Sequence, residues 1–421
     1  ATAAEHACDE AARFARSATA DGIVTSEHLI LGLLAADAAL KHELIEFGLR
    51  AEAMETGYHA QIGEPLPLDS PLEFPDPVEW TDVSRILDAC ANRAREAVRV
   101  LEDFVRFSLD DAFLSRQLKE LRHELTESLA LVSEANEVAA RDTLGDVGSA
   151  IDTAGERIRH SADDVVRANA KRLQEALRSL EEYGKLRNPE AGARMEALRY
   201  KAYTLEKALL VGHSARMKLA AAKLYVLLTG ATCRAALDWT IAEAAAGGAD
   251  VFQLREKNLS DAELLERARD VRRWTRKAGV LFIVNDRPDI ARLAEADGVH
   301  LGQDDLPVRE ARRIVGPHAL IGVSTHTVEQ VRRAILDGVN YLGVGPTFSS
   351  TTKTFAELAG LDFVRAATAE TSLPAFVLGG VTAGNVDHVV EAGGRRVAVS
   401  AAIAAADDPR AAARAIRARL P

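Results

Sequence analysis

Residues 281–337 read LFIVNDRPDIARLAEADGVHLGQDDLPVREARRIVGPHALIGVSTHTVEQVRRAILD. Three short apolar, β-branched runs lie within them: LFIVNDR from 281, GVHLGQ from 298 and ALIGVSTH from 319. Each gives way to a polar stretch with helical spacing. The same alternation begins with LYVLLTG (224) and VFQLREK (251) and continues through YLGVGPTF (341), PAFVLGGV (374) and RVAVSAAI (396). Between the runs, DAELLERARDVRRWTRKAG and TVEQVRRAILDGV have clear amphipathic helical patterns. Eight such βα units in about 200 residues predict an α/β fold, a closed (β/α)8 TIM barrel, over 218–421. A doubly wound sheet is the alternative. The lack of a Gly-rich first turn weighs against it.

Upstream of the barrel the pattern changes. Residues 81–212 carry almost no strand signal and read as long amphipathic helices, with Ala94, Ala97, Val98, Leu101 and Val105 on one face. REAVRVLEDF (95–104) aligns with QEALRSLEEY (174–183) at an offset of 79, and LRHEL (121–125) aligns weakly with LRYKA (198–202) at an offset of 77. A duplicated helical hairpin with pseudo-twofold packing accounts for both alignments. Residues 63–80 hold five prolines between Pro65 and Pro77 and read as an acidic, semi-extended linker. Residues 1–62 read as a small segment of short helices, with Thr25 or Ser26 capping the run Leu29, Ile30, Leu33 and Leu34.

Composition narrows the function classes. The 421 residues carry a net charge of −11. Residues 1–79 alone hold 15 acidic and 4 basic side chains, so the acidity belongs to the N-terminal segment. No segment is basic enough for nucleic acid to be the main partner. No apolar stretch approaches membrane-spanning length, so no membrane association is expected. The N-terminus, ATAAEHACDEAARFARS, lacks the pattern of a secretory signal. Cys8, Cys90 and Cys233 are isolated from one another, which argues against a disulfide framework and suits a cytoplasmic protein.

In a barrel of this kind, chemistry sits at the C-terminal ends of the strands. Polar side chains gather there. Gln253, Arg255 and Lys257 alternate at the end of the second strand and can all face one side. Asn285 and Asp286 end the third, and Gln303, Asp304 and Asp305 follow the fourth. Ser324 and His326 lie on the fifth, and Ser350, Thr352 and Lys353 follow the sixth. Gly379-Gly380 ends the seventh, and Val399-Ser400 the eighth. Arg255, Lys257 and Lys353 suit anions. Asp286 and Asp305 suit a shared Mg2+, a hard ion that takes few protein carboxylates plus phosphate oxygens. Backbone amides after the last two strands suit a phosphate. Together these features point to displacement or transfer of pyrophosphate. His300 and His326 are expected to be structural.

The runs QLREK (253–257), VNDR (284–287), GVHLGQDD (298–305), GVSTH (322–326), GPTFSSTTK (345–353), VLGGV (377–381) and VAVSAAI (397–403) resemble thiamine phosphate synthases. The resemblance implies condensation of 4-amino-2-methyl-5-hydroxymethylpyrimidine diphosphate with thiazole phosphate. Gln253, Arg255, Lys257, Asn285, Ser324 and Lys353 would hold the pyrimidine diphosphate. Asp286 and Asp305 would bind Mg2+. Ser350, Thr352, Gly380, Val399 and Ser400 would hold the thiazole phosphate. The family mechanism is dissociative: pyrophosphate leaves, a pyrimidine-methyl cation forms and the thiazole nitrogen attacks. Arg255, Lys257, Ser324 and Lys353 would be the catalytic set. Ser350 replaces a usual threonine, and Thr229-Gly230 lacks an aspartate that often follows the threonine.

The helical segment offers no Gly-rich nucleotide loop. Asn92, Arg95, Arg99, Glu102 and Arg106 form one polar stripe, and Lys171, Glu175, Arg178 and Glu182 another. Either stripe reads as a solvated ion-pair face or as part of a site. In RDTLGDVGS (141–149), Arg141, Asp142 and Asp146 suit phosphate and metal, or simply cap a turn. The stretches RILDACANRAREAVRVLEDFVRF, ARDTLGDVG and ANAKRLQEALRSLEEYGKL resemble a helical hydroxymethylpyrimidine phosphate kinase domain that occurs alone or fused to the synthase. That resemblance implies ATP-dependent formation of the barrel's own diphosphate substrate. The alternative is a synthase whose helical domain serves assembly or regulation. TSEHLILGLLAAD (25–37) resembles half of the Clp ATPase N-terminal repeat. Self-association is left open.

Overall fold

The structure, a computed structural model, describes residues 8–13, 26–36, 77–132, 159–349 and 358–421. It divides into two compact units, residues 1–80 and 81–421. In the first, residues 8–13 are helical and α1 spans Ser26–Ala36, with Ala11 and Leu31 buried.

Four long helices open the second unit's architecture: α2 (Pro77–Phe104), α3 (Ala112–Ala130), α4 (Ala162–Lys185) and α5 (Pro189–Lys218). The helix α2 begins four residues inside the proline-rich stretch read as linker, with Pro77 at its first turn, where a missing N–H costs nothing. The duplicated hairpin is present. Asp111 caps α3 by accepting from the Leu114 amide, and Asn188, 77 residues later, caps α5 by accepting from the Glu190 amide. The drop in offset from 79 to 77 has a local cause. The first hairpin continues α2 into a π-helical turn at Val105–Leu109 and places Asp110 in the left-handed region, at φ 51°. That turn takes up the two extra residues.

Both hairpins bury the same ion pair. Glu102 accepts from Arg122 at 3.2 Å and lies 3.5 Å from Arg99. Its equivalent, Glu181, accepts from Arg199 at 2.9 Å and from Arg178 at 2.7 Å. Glu124 and Lys201, themselves equivalent, pair with each other at 2.7 Å. A contact between equivalent residues puts the pseudo-twofold axis between α3 and α5, which pack together.

The helix α5 leads into eight parallel strands, which close in the order β1 to β8. They are β1 (Leu224–Leu228), β2 (Val251–Leu254), β3 (Leu281–Asn285), β4 (Gly298–Leu301), β5 (Leu320–Thr325), β6 (Tyr341–Val344), β7 (Ala375–Leu378) and β8 (Val397–Val399). The intervening helices are α6 (Leu237–Ala246), α7 (Asp261–Ala278), α8 (Pro288–Leu293), α9 (Val308–Val315), α10 (Val328–Asp337), α11 (Gly360–Glu370), α12 (Val386–Glu391), α13 (Ala401–Ala404) and α14 (Pro409–Arg417). Local signals fix their ends. Ser260 and Glu263 form a capping box on α7, which stops at Gly279 in the left-handed conformation. The strands are buried on both faces, which explains their nearly unbroken apolar runs. Tyr225, Val251, Ile283, Leu320, Tyr341, Phe376 and Ala398 form one buried cluster inside the barrel. Gly322 leaves room for Tyr341, since a Cβ there would stand 2.1 Å from the phenol ring.

Helices α5 and α3 pack against α10 and α11 on the flank of the barrel. Asp111 joins the two regions. Its Oδ2 accepts from Arg216 at 2.9 Å, from Thr371 Oγ1 at 2.5 Å and from the Ser372 amide at 3.2 Å. Residues 371–373 precede β7, so this anchor lies at the end of the barrel away from the strands' C-termini. Among the described residues, no helix is long and apolar enough to cross a membrane.

Candidate active site

A cleft of about 680 Å³ opens at the C-terminal ends of the strands. Gln253, Arg255, Lys257, Asn285, Asp286, Asp305, Ser324, Gly380, Val399 and Ser400 all line it. Every described residue expected from the sequence to serve the barrel chemistry is thus on one surface. Ser350, Thr352 and Lys353 lie outside the described residues.

Strand alternation aims the basic side chains. Gln253, Arg255 and Lys257 face the cleft, and Glu256 between them turns outward. Glu256 accepts from the Gly230 amide at 2.7 Å and lies 3.5 Å from Arg267. Thr229 Oγ1 donates to the Arg255 carbonyl at 2.8 Å. The Thr229-Gly230 corner therefore fastens the backbone that carries both cations.

Asp286 adopts φ 60°, an uncommon backbone state for any residue but glycine. The backbone hydrogen bond from its amide to the His300 carbonyl, 2.8 Å, holds it there. Burial, then the adjacent Asp305 carboxylate, push the Asp286 carboxyl up to about 6, against the opposing pull of Lys257 and Arg255. Asp305 Oδ2 accepts from the Gly302 amide at 2.6 Å. Two facing carboxylates that resist holding two negative charges form a donor set that a divalent cation relieves. Among the described residues, no cluster of three or more His, Cys, Asp or Glu side chains forms a closed metal cage. The pair thus fits Mg2+, which takes one or two carboxylates and completes its shell with water and phosphate oxygens.

On the opposite rim, Gly379 and Gly380 have φ of 95° and 63°. A Cβ on Gly380 would stand 2.2 Å from the Ser349 carbonyl oxygen. The glycines let the loop after β6 close onto β7, where the Thr347 amide donates to Leu378 O and the Phe348 amide to Gly379 O, each at 2.9 Å. Gly380, Val381, Thr382, Ser400 and Ala401 border the cleft here.

The floor adds two residues that the sequence did not single out, Tyr225 and Tyr341. Gln253 Nε2 donates to the Tyr225 hydroxyl at 2.8 Å, which lies 3.2 Å from the Tyr341 hydroxyl. His300 Nδ1 lies 3.2 Å from that second hydroxyl, and its Nε2 is 2.9 Å from Ser324 Oγ. Burial holds the His300 imidazolium down at about 4, so the ring is neutral near pH 7. Burial also raises both tyrosines, so each keeps its proton. His300, expected to be structural, lines the cleft and touches the cleft residue Ser324. His326 Nδ1 meets the Gly345 carbonyl. The sequence singled out Gln253, His300 and Ser324 separately, and nothing in it linked them through the two tyrosines.

Among the described residues of the helical region, the polar stripes are not joined into one site. Asn92 Nδ2 donates to Asp88 at 3.4 Å, and Arg95 lies 3.5 Å from Asn92. Arg99 reaches Glu102, Lys171 reaches Gln174 at 3.2 Å, and Arg178 reaches Glu181 and Glu182. These are contacts within single helices. Arg141, Asp142 and Asp146 lie outside the described residues.

Residues 224–403 match the Thiamine monophosphate synthase family, and residues 85–208 match the ThiD2 family. The chain is 43% identical over 338 residues to a thiamine-phosphate synthase of Rhodopirellula baltica, covering 78% of this chain and 90% of that one. It is 41% identical over 329 residues to a thiamine-phosphate synthase of Synechocystis, covering 78% and 94%. Among solved structures, a thiamine phosphate pyrophosphorylase from Pyrococcus furiosus is 33% identical, covering 47% of this chain and 94% of that one, with a TM-score of 0.43. The two curated relatives align over more residues than the barrel alone supplies, and nearly all of their own length is matched. On that evidence, the chain belongs to the thiamine-phosphate synthase family.

Proposed function

We propose that the barrel condenses 4-amino-2-methyl-5-hydroxymethylpyrimidine diphosphate with thiazole phosphate, giving thiamine phosphate and pyrophosphate. One observation carries this reading: basic, carboxylate and backbone-amide groups from the ends of β2, β3, β4, β7 and β8 converge on a single cleft. Arg255 and Lys257, with Lys353 from the loop after β6, would grip the diphosphate and stabilise the departing pyrophosphate. Asn285 and Ser324 would orient the pyrimidine end. The methylene carbon–oxygen bond breaks with its electron pair going to pyrophosphate. The thiazole nitrogen lone pair then forms the new carbon–nitrogen bond. Gly380, Val399, Ser400, Ser350 and Thr352 would hold the thiazole phosphate so that this nitrogen faces the carbon. Asp286 and Asp305 would hold Mg2+, which when bound supplies positive charge to the pyrophosphate oxygens. No protein nucleophile is needed.

The helical region would phosphorylate the pyrimidine monophosphate with ATP and so supply the barrel. A second reading, assembly or regulation only, is favoured by one observation: its described candidate residues are occupied by partners within their own helices. We read residues 25–37 as a Clp-type half repeat without chaperone activity. The test is to incubate the full chain with pyrimidine monophosphate, thiazole phosphate and Mg2+, with and without ATP. ATP-dependent thiamine phosphate supports two activities. Product only from supplied diphosphate supports the second reading. No product from the diphosphate overturns the barrel assignment.

A further inference from the structure

The buried chain from Gln253 to Ser324 crosses the cleft floor through three residues that have no place in the reaction as described above: Tyr225, Tyr341 and His300. Its hydrogen atoms can be counted. The Gln253 amide nitrogen only donates, so the Tyr225 oxygen accepts. Tyr225 has one proton, and its remaining contact is the Tyr341 oxygen. Tyr341 accepts it and passes its own proton to His300 Nδ1. A neutral imidazole that accepts at Nδ1 carries its proton at Nε2 and donates to Ser324 Oγ. The serine oxygen is then an acceptor toward His300, and its own proton is free to point into the cleft. At the other end the Gln253 amide is committed as donor to Tyr225, which turns its carbonyl oxygen, Oε1, toward the cleft.

We infer that Tyr225, Tyr341 and His300 are specificity-determining positioning residues: they fix the cleft floor as acceptor at Gln253 and donor at Ser324, and so select an aminopyrimidine. The inference rests on the proposed use of the cleft for a pyrimidine diphosphate. An aminopyrimidine offers an exocyclic N–H to Gln253 and a ring nitrogen lone pair to Ser324. The 4-oxo analogue places an oxygen where the amine stands, facing the glutamine oxygen, while the diphosphate bound by Arg255 and Lys257 prevents the ring from turning over. A buried site built around hydrogen bonds rejects such an analogue by about 10⁴-fold.

The test compares the full chain with its Tyr341→Phe and Tyr225→Phe variants. Binding of the 4-amino and 4-oxo pyrimidine diphosphates is measured by calorimetry, and KM and kcat by release of pyrophosphate, the product common to both. Both variants should lose at least about tenfold in amino-over-oxo preference, through binding and KM, with the thiazole phosphate KM unchanged. A variant that loses activity toward both substrates equally, or keeps the wild-type preference, overturns the inference. Should the variants not fold, ¹⁵N NMR of the labelled wild-type chain decides. The Nε2–H tautomer of His300 is expected, and the Nδ1–H tautomer overturns the proton order. If wild type binds the amino compound but forms no product, the synthase reading fails while the preference can still be scored.

Discussion

Asp286 couples activity and stability with opposite signs. Its folded carboxyl titrates at about 6, against 3.8 when unperturbed. The unfolded chain therefore releases this proton first as pH rises. Between those values the unfolded state binds fewer protons than the native state, and native stability falls as pH rises toward 6. Asp286→Asn removes that penalty. The variant should lose thiamine phosphate formation by at least about 10²-fold, yet melt higher than wild type above pH 6 in metal-free buffer. The gain should shrink as pH falls from 6 and vanish only below the unperturbed value of 3.8, where the carboxyl is protonated in both the folded and the unfolded chain. A variant that melts lower at pH 7 contradicts the account of two carboxylates in conflict. Gly380 tests the facing rim. Its φ of 63° and the 2.2 Å approach of a Cβ to Ser349 O predict that Gly380→Ala displaces the loop after β6. The thiazole phosphate KM should rise at least about tenfold, measured by steady-state thiamine phosphate formation.

The two hairpins of the helical region carry the same buried carboxylate in unequal settings. Burial pushes the Glu181 carboxyl up, but hydrogen bonds from Arg199 and Lys185 and the charges of Arg199 and Arg178 outweigh it, so it lies below its usual value of 4.5. Glu102 meets two guanidinium groups at 3.2 and 3.5 Å. Glu181→Gln should destabilise by about 3 kcal/mol, more than Glu102→Gln, measured by urea unfolding at pH 7. Because the folded value is depressed, the Glu181 contribution is present above pH 4.5 and fades as pH falls through the folded value, so the gap between wild type and variant should narrow in acid. Repeats such as REAVRVLEDF and QEALRSLEEY revealed the duplication because helix faces constrain apolar spacing directly. The strand-end polar residues were equally readable, since period-2 alternation aims Gln253, Arg255 and Lys257 together. The Tyr225–Tyr341–His300 chain was not. It joins β1, β4 and β6, strands that are not neighbours and whose inward side chains meet only across the closed barrel, and each member alone reads as core. The polar stripes of α2 and α4 were ambiguous for a related reason: ion-pair spacing on a helix is the same whether or not a ligand is present.

Bundle and barrel are held as one body by a few buried polar groups far from the cleft. Arg216 is mostly buried. Desolvation lowers its guanidinium from the usual value, and Asp111 offsets part of that loss. Arg216 also donates to Ser372 Oγ at 2.8 Å, and the Ser372 hydroxyl donates to Leu109 O at 2.5 Å. Arg116 and Arg332 share Glu370 on α11, at 2.8 and 2.7 Å. Removing the helical region by cutting near residue 215 would sever this anchor and expose barrel surface that the helices now cover, so a point substitution separates the two regions more cleanly. Asp111→Ala leaves Arg216 buried without its counter-charge and also removes the cap of α3, an expected cost of about 4 kcal/mol. In calorimetry, wild-type residues 81–421 should unfold in a single cooperative transition, and the variant should show separate bundle and barrel transitions. Its kcat for thiamine phosphate formation at 25 °C should stay within about twofold of wild type, because the anchor lies before β7 and the chemistry lies after it. A variant that loses kcat while keeping a single transition would mean that the two regions are coupled through the barrel itself, and the anchor would then be part of how the helical region governs the synthase site.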